Sequence, residues 1–174
     1  MRIVAGKFAG RDLTSPNDFR VRPTAEHVRA ALLGLLADVV PGARVLDLFA
    51  GTGALGLEAI SRGARSCDFV EFRPASLHAL KANVVALKLR DRTRIFKRDA
   101  LPFAAALPAG RYDVAFVDPP YGSRMLDRVI DHWHARPFAP VLAVEHERAH
   151  ELPKGGKRYV FDDTAVTIYR SKIR

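Results

Sequence analysis

Residues 45–56 read VLDLFAGTGALG, an apolar strand that runs into a glycine-rich turn. The positions of Gly51, Gly53 and Gly56 match G-x-G-x-x-G, the pattern of a strand, tight turn and helix that holds a nucleotide. Glycine suits such a turn because it lets the backbone approach a ligand closely. The pattern alone is not specific, since a nicotinamide-dependent dehydrogenase matches it too.

Outward from this turn, predicted strands and helices alternate. Helices are predicted from Thr24, as the capping residue, to about Val39, and over residues 54–62, 74–89, 100–107 and 124–133. Strands are predicted over residues 43–49, 67–71, 94–98, 112–118 and 141–145, and the tail, 157–170, reads as two strands about a turn near Asp162-Asp163. This order predicts an α/β fold with a mostly parallel sheet, helices on both faces and an antiparallel C-terminal hairpin.

Composition places the chain among ordinary globular proteins. Its 174 residues suit one domain, 48% are hydrophobic and 27% are charged. The longest apolar run, residues 30–37, is too short to span a bilayer. Cys67 is the single cysteine and cannot form an internal disulfide, which indicates a cytoplasmic protein and an ordinary strand residue at this position.

The formal net charge of +9 favours an anionic partner, and nucleic acid is the commonest. Residues 1–22 lack helical periodicity and contain five basic residues against two acidic ones. The basic residues are Arg2, Lys7, Arg11, Arg20 and Arg22. We therefore expect a basic, semi-extended N-terminal segment over residues 1–22 that follows a nucleic-acid backbone, and a single main domain over residues 23–174.

Acidic residues stand in or directly after four predicted strands: Asp47, Glu71, Asp99 and Asp118. Ligands of open α/β sheets bind beyond the carboxyl ends of the strands, so these four side chains should converge on one crevice. An acid just before the glycine turn would repel a pyrophosphate. It would attract a cationic ligand, such as an ammonium or a sulfonium, and this weighs against a dehydrogenase.

The stretch VAFVDPPYG, residues 114–122, ends a strand with an acid, two prolines and an aromatic ring. Two successive prolines fix two φ angles and remove two backbone donors, so they halt a sheet ladder and stiffen the loop. The stretch is either a stiff loop and nothing more, or a rigid edge that presents chemical groups to a substrate.

Two motifs resemble those of S-adenosylmethionine-dependent methyltransferases. Residues 47–53, DLFAGTG, resemble the first motif of that superfamily, and Asp118-Pro119-Pro120-Tyr121 resembles the (D/N)-P-P-(Y/F) motif of enzymes that methylate exocyclic amines of nucleobases. The resemblance narrows further to the bacterial 16S rRNA guanine-N2 methyltransferase family. It is carried by residues 2–6, 10–11, 22–24, 28–29, 45–61 and 163–169, so it covers nearly the whole chain.

The resemblance implies a Rossmann-like class I methyltransferase fold with a seven-stranded sheet, S-adenosylmethionine as cofactor and 16S rRNA or the 30S subunit as partner. It implies a catalytic loop in which Asp118 and the Pro119 carbonyl accept the amine hydrogens, Pro120 stiffens the backbone and Tyr121 stacks on the flipped base. The cofactor contacts it implies are Asp47, Phe49, Gly51, Gly53, Glu71, Phe72, Asp99 and Ala100. The RNA contacts fall on the five basic residues of the N-terminal segment, and a monomer without membrane association is expected.

Three alternatives remain open from the sequence: a nicotinamide-dependent dehydrogenase, a non-catalytic RNA-binding module and an adenine-N6 DNA methyltransferase. Residues 146–150, HERAH, match the zinc signature H-E-x-x-H, but they follow a strand where that signature needs a helix. We therefore expect no metal site, and we expect Trp133 to lie in the core.

Overall fold

The computed structural model describes residues 1–17 and 24–172. Within them the strands β1 to β7 form a single sheet in the order β3-β2-β1-β4-β5-β7-β6. The strands are β1 Arg44–Leu48, β2 Ser66–Val70, β3 Thr93–Phe96, β4 Val114–Val117, β5 Val141–Glu147, β6 Lys157–Phe161 and β7 Thr164–Arg170. The first five pair in parallel and β7 pairs antiparallel with both β5 and β6, which confirms the predicted sheet and its C-terminal hairpin.

Five α-helices cover the two faces of this sheet. They are α1 Glu26–Leu35, α2 Ala54–Ser61, α3 Pro74–Ala86, α4 Ala100–Ala105 and α5 Met125–Ala135. Two core clusters result, one under α1, α2 and α3 and the other under α4 and α5. The alternation along β1 shows why: Val45 packs into the first cluster and Leu46 into the second, because successive strand residues point to opposite faces.

The glycine turn owes part of its composition to packing. Gly53 has φ +79° and precedes α2, and a Cβ on it would lie 2.4 Å from Leu80 Cδ1 of α3. A Cβ on Gly56 would lie 2.5 Å from Phe69 Cε1 of β2. These two glycines therefore let α2 pack closely against the sheet and α3.

Residues 1–17 of the N-terminal segment pack onto the domain, whereas the sequence had predicted a segment that extends ahead of it. Ile3 is fully buried, an isolated antiparallel bridge joins Arg2 to Asp12, and Ile3 and Leu13 pack into the cluster under α1 to α3. The backbone N–H groups of Val4 and Ala5 donate to the Glu58 carboxylate at 2.9 Å each. These hydrogen bonds fix residues 4 and 5 to α2. Arg20 and Arg22 lie outside the described residues.

Helix α1 corrects one detail of the prediction. Its N-cap is Ala25, which makes no side-chain capping bond, and the helix ends at Leu35, short of Val39. The hydroxyl of Thr24, expected to cap the helix, binds an acid 94 positions away in the sequence. None of the helices in residues 1–17 and 24–172 is long and apolar enough to cross a membrane.

Candidate active site

A cavity of about 380 Å³ opens at the carboxyl edge of the parallel strands, within the size range of small-molecule sites. The four acids predicted to converge do so here: Asp47, Glu71, Asp99 and Asp118 all line it. The sheet order explains this, because β1 and β4 are neighbours whose connections leave toward opposite faces. The convergence predicted from the strand ends is therefore confirmed.

Asp47 is a buried residue of β1, and its Oδ2 accepts a hydrogen bond from the Gly56 N–H at 3.0 Å. Burial raises the pKa of Asp47 well above its ordinary range, and the charges of Asp118 and Glu71 raise it further, against the opposing hydrogen bond from Gly56. A positively charged ligand beside this carboxyl would offset that cost. A cationic ligand would therefore be more favourable beside Asp47 than an anionic one.

Glu71 follows β2 and supports the glycine turn. Its Oε2 accepts from the Gly51 N–H at 2.8 Å, and its Oε1 accepts from the N–H groups of Phe72 and Arg73 at 2.8 and 2.9 Å. A carboxylate offers about four acceptor positions, so these three bonds leave about one for a ligand hydroxyl. Glu71 therefore has a structural role that the sequence did not predict, in addition to any contact with a ribose.

Replacing Glu71 by glutamine is expected to weaken S-adenosylmethionine binding by about tenfold to a hundredfold. The amide would bring a donor against backbone donors, and hydrogen bonds to charged groups contribute about 1.5–3 kcal/mol each. Calorimetric titration of wild type, Glu71→Gln and the exposed control Asp91→Asn measures the effect. An unchanged dissociation constant for Glu71→Gln would contradict this role.

The remaining predicted cofactor residues divide between the wall and its surroundings. Phe49, Gly51, Phe72 and Asp99 line the cavity, and Phe49 and Gly51 both have positive φ, +59° and +57°. Asp99 also caps α4 by accepting from the Leu101 N–H at 3.3 Å. Gly53 and Ala100 are buried behind the wall, so the structure does not bring them to the cavity surface.

The DPPY loop follows β4 and completes the wall: Asp118, Pro119, Pro120 and Tyr121 all line the cavity. The pKa of Asp118 is raised to about 6 by its burial in the wall, which outweighs a hydrogen bond from Thr24. The Tyr121 hydroxyl is hydrogen bonded to Thr164 Oγ1 at 2.8 Å, and this bond ties the loop to β7. The DPPY loop thus places an acid, two prolines and an aromatic ring in the same cavity wall as the other acids.

Sequence reasoning missed several wall residues, and two of them, Glu145 and Thr24, bear on the acidic groups of the site. Glu145 of β5 is a buried acid in the wall, and its position in a fifth strand was the same signal that identified the other acids. Thr24 also lines the cavity and donates to Asp118, but a contact between residues so far apart leaves no local signal. Arg73 is the one basic side chain that lines the cavity in the described part of the chain.

The H-E-x-x-H stretch does not form a helical metal site in this fold. His146 and Glu147 belong to strand β5, and the His146 ring is hydrogen bonded to Thr167 Oγ1 at 2.8 Å. His150 lies in the following turn and pairs with Asp127 at 3.0 Å. Trp133 is buried in the core, as expected, and its Nε1 donates to the Ala139 carbonyl.

The donor set suits S-adenosylmethionine, which carries an ammonium and a sulfonium. Five carboxyl side chains and one guanidinium line the described cavity wall, and this mostly acidic lining is unfavourable for a pyrophosphate. Asp47 in β1, Glu71 after β2 and Asp99 after β3 line the cavity along three neighbouring strands. The residues present therefore fit this cofactor better than a nicotinamide dinucleotide.

Known proteins agree with this assignment. A model of the family described as Conserved hypothetical protein 95 matches residues 1–163. The chain is similar to the Bacillus subtilis protein named "Putative rRNA methyltransferase YlbH", with 31% identity over 99% of this chain and 100% of that protein. It is also similar to the Escherichia coli protein named ribosomal RNA small subunit methyltransferase D, with 37% identity over 75% of this chain and 65% of that protein.

A solved structure extends the likeness in fold. The T. thermophilus 16S rRNA N2 methyltransferase RsmC, solved with AdoMet and guanosine, superimposes with a TM-score of 0.67 at 21% identity, over 90% of this chain and 45% of that one. At this identity the likeness concerns the class I methyltransferase fold. The chain therefore belongs to the Conserved hypothetical protein 95 family and is a class I methyltransferase that uses S-adenosylmethionine.

Proposed function

We propose that this chain transfers a methyl group to the exocyclic N2 amine of a guanine in 16S rRNA. Membership of its family and its similarity to the E. coli small-subunit methyltransferase support a small-subunit rRNA as the substrate. The choice of an exocyclic amine as the methyl acceptor rests on the DPPY loop, because Asp118 and Pro119 lie in the wall of the same cavity as the acids assigned to the cofactor.

The exocyclic amine of guanine is a poor nucleophile, since its lone pair is delocalised into the ring. The Asp118 carboxylate and the Pro119 main-chain carbonyl accept its two N–H bonds, which favours a more tetrahedral nitrogen. When bound, S-adenosylmethionine would supply an electrophilic methyl group on a sulfonium, whose sulfur keeps the electron pair of the broken S–CH3 bond and leaves as a thioether. The methylated amine then loses its surplus proton after the transfer. Because the acceptors stand on a proline-stiffened loop, they require little reorganisation, and alignment provides most of the rate.

Tyr121 holds the base against this edge. Its ring lies in the cavity wall and its hydroxyl is fixed by Thr164, so the ring offers a preorganised stacking surface. An exocyclic amine inside an RNA fold is reached by taking the base out of its stack, and aromatic stacking offsets part of that cost. Pro120 keeps the loop rigid between Pro119 and Tyr121.

The N-terminal segment is the proposed site of RNA backbone contact. Arg2 pairs at its Nε with Glu26 at 3.5 Å, Arg11 donates to the Ala86 carbonyl, and Lys7 is exposed with its ammonium 5.6 Å from the Phe8 ring centroid. The segment is anchored next to the cavity, since Met1 Sδ lies 3.7 Å from Thr52 Oγ1 in the wall. RNA held here would reach the cavity mouth.

Replacing Lys7 by alanine is expected to weaken binding of 16S rRNA uniformly and to reduce the slope of log affinity against log salt by about one. The fold should persist, because Lys7 anchors the segment through its backbone N–H on the Ser61 carbonyl. Binding titrations over a salt series, with Lys154→Ala as the matched control, measure the slope. Identical slopes in the Lys7 variant and wild type would remove Lys7 from the interface.

The base and the atom are tested by product analysis. The protein is incubated with labelled S-adenosylmethionine and either free 16S rRNA or 30S particles from cells without this modification, and the nucleosides are separated by mass spectrometry. We expect N2-methylguanosine at a single position. N6-methyladenosine in the rRNA in place of N2-methylguanosine, or no incorporation into rRNA, would contradict the proposal. Which RNA form accepts the methyl group identifies the partner in the same experiment.

A further inference from the structure

The side chain of Thr24 makes a contact that the local fold does not require. Its Oγ1 donates to Asp118 Oδ2 at 2.6 Å, at the short end of the hydrogen-bond range. Thr24 does not cap the adjacent helix α1: Ala25 occupies the N-cap position, and no side chain makes a capping hydrogen bond there. Thr24 also lines the cavity. Its hydroxyl therefore donates its hydrogen bond to Asp118 and not to the start of the helix.

We propose that Thr24 is a positioning residue for methyl transfer, which holds one carboxylate oxygen of Asp118 and leaves the other to accept the substrate amine. The inference rests on the proposed function, in which Asp118 is that acceptor. A carboxylate rotates freely about its terminal torsion, with broad minima, so one fixed oxygen determines the direction of the second. The hydroxyl thereby aims an acceptor that the proline loop alone would leave free to turn.

The hydroxyl also controls the ionisation of Asp118. The groups that share its cavity are mostly acids: Asp47 of β1, Glu71 after β2, Asp99 after β3 and Glu145 of β5, with Arg73 and Tyr121 as the remaining charged or titratable neighbours. Burial raises the pKa of Asp118 to about 6, and the hydrogen bond from Thr24 opposes that rise. The acceptor must be ionised, so loss of the hydroxyl would move the pKa upward, toward physiological pH.

The direction in which the pH profile should move follows from the need for an ionised Asp118. Activity that needs the carboxylate falls as pH drops through the pKa of Asp118. A hydrogen bond to a charged group corresponds to about one pH unit. Thr24→Val, which keeps the shape and removes the donor, should therefore move the acidic limb of the kcat/KM profile upward by about one pH unit. Activity at pH 6 should fall by about fivefold from ionisation alone.

The steady-state test compares wild type, Thr24→Val and Thr24→Ser on 16S rRNA between pH 5.5 and 8.5. We expect Thr24→Ser to restore the wild-type profile, and we expect the KM for S-adenosylmethionine to remain unchanged in both variants. A purely structural role would lower kcat without moving the profile. A Thr24→Val profile that superimposes on wild type, or a serine variant that fails to restore it, would overturn the proposal.

A second readout does not depend on the substrate. In the protein without RNA, the ¹³C carboxyl resonance of Asp118, assigned by its loss in Asp118→Asn, is followed through the same pH range. We expect a midpoint near 6 in wild type and Thr24→Ser and a higher midpoint in Thr24→Val. Equal midpoints would refute the role of Thr24. If the midpoint is shifted in Thr24→Val but the wild-type protein makes no N2-methylguanosine, only the proposed function is refuted.

Discussion

Alanine at position 118 is expected to lower the rate of methyl transfer by about 100-fold to 1000-fold, the loss typical of one preorganised electrostatic contact in an active site. In the proposed function Asp118 accepts the substrate amine, whereas the carboxylates of Asp47 and Glu71 accept backbone N–H groups of the glycine stretch, which we assign to the cofactor. S-adenosylmethionine binding should therefore change little. Single-turnover rates on rRNA and calorimetric titration of the cofactor measure the two effects separately.

Two further variants separate the loss of the acceptor oxygen at position 118 from a general loss of negative charge. Asp118→Asn keeps an acceptor oxygen and should retain more activity than Asp118→Ala, while the exposed control Asp131→Ala on α5 should behave as wild type. If the alanine variant lost cofactor binding and transfer to the same extent, Asp118 would be a cofactor ligand and the assignment of the acceptor would be wrong.

The largest effect on stability is expected at Glu58, which joins the N-terminal segment to the domain. Its carboxylate is fully buried, accepts the N–H groups of Val4 and Ala5, and pairs with the fully buried Arg29 at 3.3 Å and with Arg62 at 3.2 Å. Glu58→Ala leaves a buried guanidinium and two backbone donors without their acceptor. The free energy of unfolding should fall by about 3–5 kcal/mol.

Urea unfolding measures this loss as a lower midpoint at an unchanged slope. Arg62→Ala is the matched control, since it removes the more exposed partner of the same carboxylate and should cost about 1 kcal/mol or less. A loss below about 1 kcal/mol for Glu58→Ala would show that the N-terminal segment is not held by this carboxylate.

The sequence predicted the fold well because its signals are local and periodic. Strand β1, the glycine turn and α2 appear in one continuous stretch, and the turn at Asp162-Asp163 sets the C-terminal hairpin. The N-terminal segment was predicted less well. Its burial depends on Ile3 and Leu13 meeting helices that lie more than ten positions away, and a short, charged stretch with few apolar residues gives no sign of such contacts.

In the candidate site, too, features that follow from local sequence were predicted, and contacts between distant segments were not. The convergence of Asp47, Glu71, Asp99 and Asp118 followed from their positions in or after parallel strands, since that edge of the sheet gathers them. The bonds of Glu71 to the Gly51 turn and the bond of Thr24 to Asp118 could not be inferred, because each depends on the three-dimensional distance between separate segments. Function in this cavity depends on both kinds of contact.

The proposed methyl transfer requires two oxygen acceptors at the DPPY edge that face a base amine across from the methyl donor. A crystal structure of the protein with S-adenosylmethionine and guanosine tests this directly. We expect the guanine N2 atom within hydrogen-bond distance of Asp118 and of the Pro119 carbonyl, and about 3–3.5 Å from the transferable methyl carbon. A carboxylate of Asp118 turned away from the base, or a methyl group out of line with N2, would contradict the account.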